Sequence, residues 1–220
     1  MRDLLMDNSV LTIPISTNGY IGFAHFSDNA HDLRVGTDTD WPRESDPAVI
    51  APYLCKQRVD TNAAASSKVY YRLEMRSHSG LSSAVSQVRG PCRGKLPYVQ
   101  CNRQSDLFLD RMQRLLQEGV AGGSVFRAEA ALVVTWENLR PNIGRQRTYS
   151  TYQLVWLTDA LGTLSYSIIN YDKLGYDAAD LNGNTVTGRC QILRTLLPFL
   201  PPAPVVFSPN RYVQFLMTIS

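Results

Sequence analysis

Residues 151–176 read TYQLVWLTDALGTLSYSIINYDKLGY. Two runs rich in β-branched and aromatic residues flank DALG, where Asp159 and Gly162 supply turn chemistry, so the stretch predicts a β-hairpin with arms over 151–158 and 163–171. On the second arm Leu164, Tyr166 and Ile168 alternate with Ser165, Ser167 and Ile169, which predicts one face in the core and one free to vary as a contact surface. Neither arm carries a nucleophile, an acid/base pair or a metal box.

The same periods place the neighbours. Residues 130–136 (AALVVTW) are nearly all apolar and predict a strand covered on both faces. KVYYRLEM over 68–75 alternates, with Val69, Tyr71, Leu73 and Met75 expected inside and Lys68, Tyr70, Arg72 and Glu74 outside. Strands over 10–15 and 19–26 flank STNG, where Asn18 and Gly19 can turn the chain. Phe108, Met112, Leu115 and Leu116 recur at helical spacing over 105–118, with Ser105 available as N-cap and Gly119 just past the end. A last strand is expected over 211–219. The fold class expected is mostly β with one or two helices (α+β), an antiparallel, sandwich-like sheet with the helix packed near 105–118.

Composition agrees with a globular β protein: 44% of the 220 residues are hydrophobic and 19% charged, and prolines and glycines are spread along the chain. Twenty-two basic residues against 19 acidic ones are too balanced for a nucleic-acid footprint, and Arg103, Arg111 and Arg114 read as a solvated helix face. No run of roughly 18 apolar residues spans a bilayer, and the apolar stretch over 192–207 is broken by prolines and Arg194. The first ten residues lack the apolar core of a signal peptide, so an extracellular home would make this chain a fragment or one without its natural start.

Four cysteines allow two disulfides and three pairings. The loop PCRGKLPYVQCN favours Cys92 with Cys101, which leaves Cys55 with Cys190. No CxxC or neighbouring histidine supports zinc. Asp28, Asp32, Asp38 and Asp40, with His25 and His31 nearby, fit no calcium or zinc spacing and read as a solvated loop, so no metal is assigned. No motif for a hydrolase, nucleotide site or metalloprotease is present, and no catalytic residue or cofactor is assigned. Glu74, Glu137 and Asp172 are the acids that could serve glycoside hydrolysis, and each reads as surface-solvated.

ALVVTWENL followed by TYQLVWLTDALGTLSYSIINYDKLGY resembles the NIDO domain, the extracellular module of nidogen, tectorin and mucin-type proteins. Thr135, Trp136, Tyr152, Gln153, Thr158, Asp159, Asn170 and Tyr171 occupy its pattern. Upstream, Asn18 and Gly19 in STNGYIGF, the segment DPAVIAPYLCKQRVD, and Tyr71 and Arg72 in KVYYRLEM continue it in order. DTDWPRESDPAVIAPYLCKQRV is similar to the invertebrate Mesh type, whose parents combine several modules outside a membrane span at epithelial septate junctions. The family's W-T-T-G is reduced to Tyr176, Asp177, Ala178 and Ala179, and the loop holding Cys92 and Cys101 looks inserted. The tail from Arg189 departs from the family, which divides the chain into a NIDO-like domain over 1–188 and a divergent tail over 189–220.

The resemblance implies an extracellular adhesion module, not an enzyme, that engages matrix or cell-surface proteins, with no nucleic-acid partner. A secreted carbohydrate-binding or glycan-processing β-sandwich is the alternative. A truncated gene product with no independent role is a third reading.

Overall fold

A computed structural model describes residues 3–6, 9–23, 49–60, 66–77, 97–142, 148–176, 178–182, 185–195, 205–207 and 213–219. The strands run β1 (Asp3–Met6), β2 (Ser9–Thr12), β3 (Ile15–Ser16), β4 (Tyr20–Gly22), β5 (Val49–Leu54), β6 (Gln57–Arg58), β7 (Lys68–Met75) and β8 (Val99–Gln100). After helix α1 (Arg103–Gly119) come β9 (Ala130–Pro141), β10 (Ser150–Thr158), β11 (Ser165–Lys173), β12 (Ala178–Asn182), β13 (Thr185–Arg189), β14 (Gln191–Thr195), β15 (Val205–Phe207) and β16 (Val213–Ile219). The fold is mostly β with a single α-helix among the described residues, as the periodicity predicts.

One sheet has the order β15-β16-β11-β10-β9-β7-β8, with β6 also paired to β9; a second has the order β14-β5-β4-β3. Contacts divide the chain into two units. The first holds residues 1–69, 135–153 and 171–201, and the second holds 70–134, 154–170 and 202–220.

In the second unit the helix packs on the sheet. Leu109 and Leu116 of α1 are fully buried with Phe126, Ala131, Val133, Val155, Leu157, Tyr166 and Ile168, and Phe126 meets Tyr166 edge-on at 4.7 Å. Burying each large apolar side chain contributes roughly 1.5–3 kcal/mol. Leu109, absent from the expected stripe, is its centre; Phe108 and Met112 flank it. The N-cap is Asn102, not Ser105: Asn102 Oδ1 accepts from Gln104 N at 2.8 Å and Ser105 N at 3.1 Å, and the Ser105 hydroxyl returns a contact to Asn102 N. Both residue types can cap; here Asn102 has the extended backbone of a cap, the helix begins one turn earlier than Ser105 would start it, and Gly119 belongs to its last turn. Arg103, Arg111 and Arg114 lie on the exposed side of the helix. Asp106 accepts from Ser77 N at 2.9 Å, and Asp110 pairs with Arg76 at 2.7 Å, so the helix is tied to the end of β7.

That packing overturns the expected wet face of β7. Lys68 and Tyr70 are exposed, but Arg72 lies over the Phe108 ring at 5.4 Å and Glu74 is 4% exposed. Alternation tracks polarity, and the helix covers the polar face where it crosses.

The hairpin also departs from its expected half-burial. Ser165, Ser167 and Ile169 are buried, as are Tyr166 and Ile168, so no face of β11 over these residues is left as a contact surface. The strand at 130–136 is covered on both faces, as expected. The expected strand over 10–15 is interrupted: Pro14, which has no N–H to donate, separates β2 from β3, and its carbonyl accepts from Gly22 N at 3.0 Å. Asp28, Asp32, Asp38, Asp40, His25 and His31 lie outside the described residues.

The DALG turn is held by Asp159. Its carboxylate accepts from Thr163 N at 2.8 Å, from the Thr163 hydroxyl at 2.8 Å and from Leu164 N at 3.2 Å, while Asp159 N donates to Leu164 O at 3.1 Å. Desolvation pushes this carboxyl up, but the bonds from the Thr163 hydroxyl and from the Leu164, Thr163 and Gly162 N–H groups together outweigh it and hold it below the ordinary aspartate value. A depressed folded value adds stability above the unfolded pKa, about 4, and loses it as pH falls through the folded value. Asp159→Asn is therefore expected to melt below the wild type at pH 7, with the gap closing as pH falls from about 5 towards 2. A gap that stays constant across that range contradicts the assignment.

Candidate functional site

The family-pattern residues of the first unit converge on one buried polar cluster. Gln57 of β6, 5% exposed, donates from Nε2 to Tyr53 O at 3.1 Å and to the Tyr152 hydroxyl at 2.8 Å. The Tyr176 hydroxyl donates, shared between Gln57 Oε1 at 3.1 Å and Leu139 O at 3.2 Å. The Tyr53 hydroxyl donates to Tyr176 O, and the Tyr171 hydroxyl donates to Pro52 O at 2.5 Å. Trp136 stacks on Tyr152 with centroids 5.1 Å apart and donates from Nε1 to Ser16 O at 2.8 Å. A buried amide is expensive unless bonded, and here both of its ends are used.

The STNG turn closes over this cluster. Asn18 Oδ1 accepts from Gln57 N at 3.0 Å, and Asn18 O accepts from Cys55 N at 3.1 Å. Gly19 has φ +81°, and a Cβ there would lie 2.1 Å from Tyr53 O and 2.4 Å from the Tyr152 hydroxyl. Only hydrogen fits.

Burial raises the Tyr152 hydroxyl well above its usual pKa; Tyr171 and Tyr176 are raised by burial too, with like-charge repulsion from the Tyr53 phenolate adding to both. At neutral pH these phenols are protonated donors, so the cluster holds strands together and offers no base. Groups with raised folded values stabilise fully below the unfolded pKa, about 10, and that stability drains as pH climbs towards the folded values. Each tyrosine then contributes a slope of about 1.4 kcal/mol per pH unit, or about 4 for the three. Cooperative unfolding above about pH 10, with tyrosinate absorbance rising in the same step as circular dichroism is lost, is the expected result. Ionisation of all eleven tyrosines near pH 10 with the fold intact contradicts it.

The other pattern residues serve locally. Gln153 Nε2 donates to the Thr135 hydroxyl at 2.8 Å across β10 and β9. Tyr71 lies 5.8 Å from Tyr98, Arg72 pairs with Glu74 at 2.7 Å, Thr158 and Asp159 open the hairpin turn, and Asn170 is half-buried on β11. Sequence reasoning missed Gln57, Tyr53 and Tyr176, which are joined to Tyr152 and to one another by bonds spanning up to 123 residues. No local pattern signals them.

Of the three acids, Glu74 is not surface-solvated: the helix buries it and Arg72 satisfies Oε1, while Oε2 has no hydrogen-bond partner. Asp172 is exposed and Glu137 half-buried. Among the described residues no group of three or more His, Cys, Asp or Glu is placed to hold a metal, and no helix is long and apolar enough to cross a membrane.

Cys55, at the end of β5, is bonded to Cys190, just before β14, across a separation of 135 residues. The adjoining ladder pairs Gln191 with Leu54 and Thr195 with Ile50. Cys101 is also disulfide-bonded, and Cys92 lies outside the described residues.

Comparison with known proteins agrees with the pattern. The model of the nidogen-like domain, NIDO, matches residues 11–193. Two uncharacterised proteins of Caenorhabditis elegans are 48% and 47% identical, over 81% and 80% of this chain, and the matched region is 14% of each relative. Protein mesh of Bombyx mori is 25% identical over 79% of this chain and 10% of its own length. The chain thus spans a small part of the relatives it matches, and no solved structure matches it. With the motif residues built into one buried framework and the family match running through β2 to β14, the chain belongs to the nidogen-like (NIDO) domain family.

Proposed function

We propose that this chain is an extracellular interaction module that mediates cell–matrix or cell–cell adhesion within a longer protein. The family match over 11–193 carries the reading. The Cys55–Cys190 bond supports it, because such bonds persist in oxidising compartments. The buried tyrosines and the doubly covered hairpin act as framework, which leaves recognition to side chains at edges and turns. Leu161 at the hairpin tip, 84% exposed, Val125 and Tyr70 are apolar groups of this kind. The partners proposed are matrix or cell-surface proteins, and the role is binding rather than turnover. Mesh-like placement in a membrane-anchored, septate-junction protein is the finer form of the same proposal.

The carbohydrate alternative calls for an exposed aromatic row, and among the described residues Tyr70 is the one exposed aromatic. A surface coated with the oxidised chain is expected to retain cells or matrix proteins. Retention should fall several-fold with Leu161→Asp at unchanged melting temperature. The reading is overturned if the coated surface retains nothing beyond a reduced and alkylated control, or if the chain turns over a glycan and loses that activity with Glu137→Gln or Asp172→Asn.

A further inference from the structure

In the first unit β5 and β14 are antiparallel neighbours, with Thr195 opposite Ile50, Arg194 opposite Ala51, Ile192 opposite Tyr53 and Gln191 opposite Leu54. The next pair along this ladder is Cys190 and Cys55, joined covalently, with Cα atoms 4.5 Å apart. The backbone therefore enters β5 at Val49 and leaves β14 at Thr195 on the same end of the ladder, while the disulfide closes the other end.

We infer that this arrangement is a covalent strap that keeps tension applied through the two chain ends from extending residues 56–189. The ladder's hydrogen bonds lie perpendicular to the strands, so once β4 has left β5 and β16 has left β11, a pull on both strands from one end loads the outermost bond of the ladder first. The bonds then break in succession, from Thr195 and Ile50 towards Gln191 and Leu54. Peeling stops at the disulfide, where the load passes directly from Cys55 to Cys190. The 134 residues between them leave the load path, and with them β6 to β13, α1 and the tyrosine–glutamine cluster except Tyr53. A β14 carrying no crosslink would peel away and hand the load to the tyrosine cluster. The inference rests on the adhesion reading only in giving the strap a load to bear, and failure to bind any surface would leave the extension measurement unchanged.

Single-molecule pulling of the whole chain between two handles of known length tests it. At about 3.5 Å per residue, the 54 residues before Cys55 and the 30 after Cys190 allow the oxidised chain an extension of about 300 Å. Adding a thiol reductant to a chain already held at that limit is expected to release a further length of about 460 Å. A Cys55→Ala, Cys190→Ala chain should extend several hundred ångströms past the first limit without reductant, short of the reduced wild type only by the loop that the Cys101 bond closes. An oxidised wild-type chain that passes well beyond 300 Å, or one that gains no such length on reduction, overturns the strap; the wild-type reduction arm keeps the test valid should the double variant fail to fold.

Discussion

Gly19→Ala is expected to cost about 2–4 kcal/mol and to lower the melting temperature by about 10 °C, in a chain where many surface substitutions fall within about 0.5 kcal/mol. Two terms add. An alanine at φ +81° carries backbone strain of about 1 kcal/mol, and the new methyl meets Tyr53 O at 2.1 Å and the Tyr152 hydroxyl at 2.4 Å. The first of these atoms is backbone of β5, and the second is fixed by Gln57, so neither can step aside without breaking Gln57 to Tyr152 or Tyr53 N to Gly19 O. Overpacking of this kind costs roughly 1–3 kcal/mol, sometimes more. Gly162→Ala separates the terms, because Gly162 has φ +67° and open space around its Cβ position. That variant should lose only about 1 kcal/mol. Equal losses at the two positions, read from denaturant midpoints, would show that the close approach at Gly19 contributes nothing.

The contrast between these glycines shows what one sequence discloses. Asn18 and Gly19 announce a turn through their tolerance of positive φ, and so do Asp159 and Gly162. That Gly19 presses against β5 and β10 while Gly162 faces open space depends on contacts 34 and more residues away, which no local pattern encodes. The strands and the helix are legible because their periods, 2 and 3.6, are local. The error at the helix start has the same origin as the success, since Asn102 and Ser105 both satisfy the residue preference and only the backbone decides which one caps. Ser165, Ser167 and Glu74 depart from expectation because a polar side chain need not be an exposed one. A sheet covered on both sides can bury small hydroxyls, and a helix laid beside Arg72 can bury the carboxylate that pairs with it. The family motifs are visible as letters. Their physical content, a network joining Asn18, Gln57, Trp136, Tyr152, Tyr171 and Tyr176, requires the fold.

Removing the Cys55–Cys190 bond with a Cys55→Ala, Cys190→Ala pair is expected to cost about 5 kcal/mol by chain entropy, since the crosslink closes a loop with a sequence separation of 135 residues. Measured losses for native disulfides run from about 2 to 5 kcal/mol, because the open denatured chain keeps some residual structure. Alanine is the better replacement for Cys55, which is fully buried at the end of β5, as a serine hydroxyl would add an unpaired polar group to the same cost. The loss should fall on the folded first unit as a whole and not as local fraying of β14. Cys55 N donates to Asn18 O beside the Gln57 cluster, so the ladder, the STNG turn and the tyrosines share one set of partners. Oxidised wild type compared with the oxidised double variant, which keeps the bond at Cys101, by denaturant titration with tyrosine absorbance as a second probe, reads the loss of this crosslink. A double variant within about 1 kcal/mol of the oxidised protein would mean that β5 and β14 hold without the bond, and that its loop contributes nothing to folding stability.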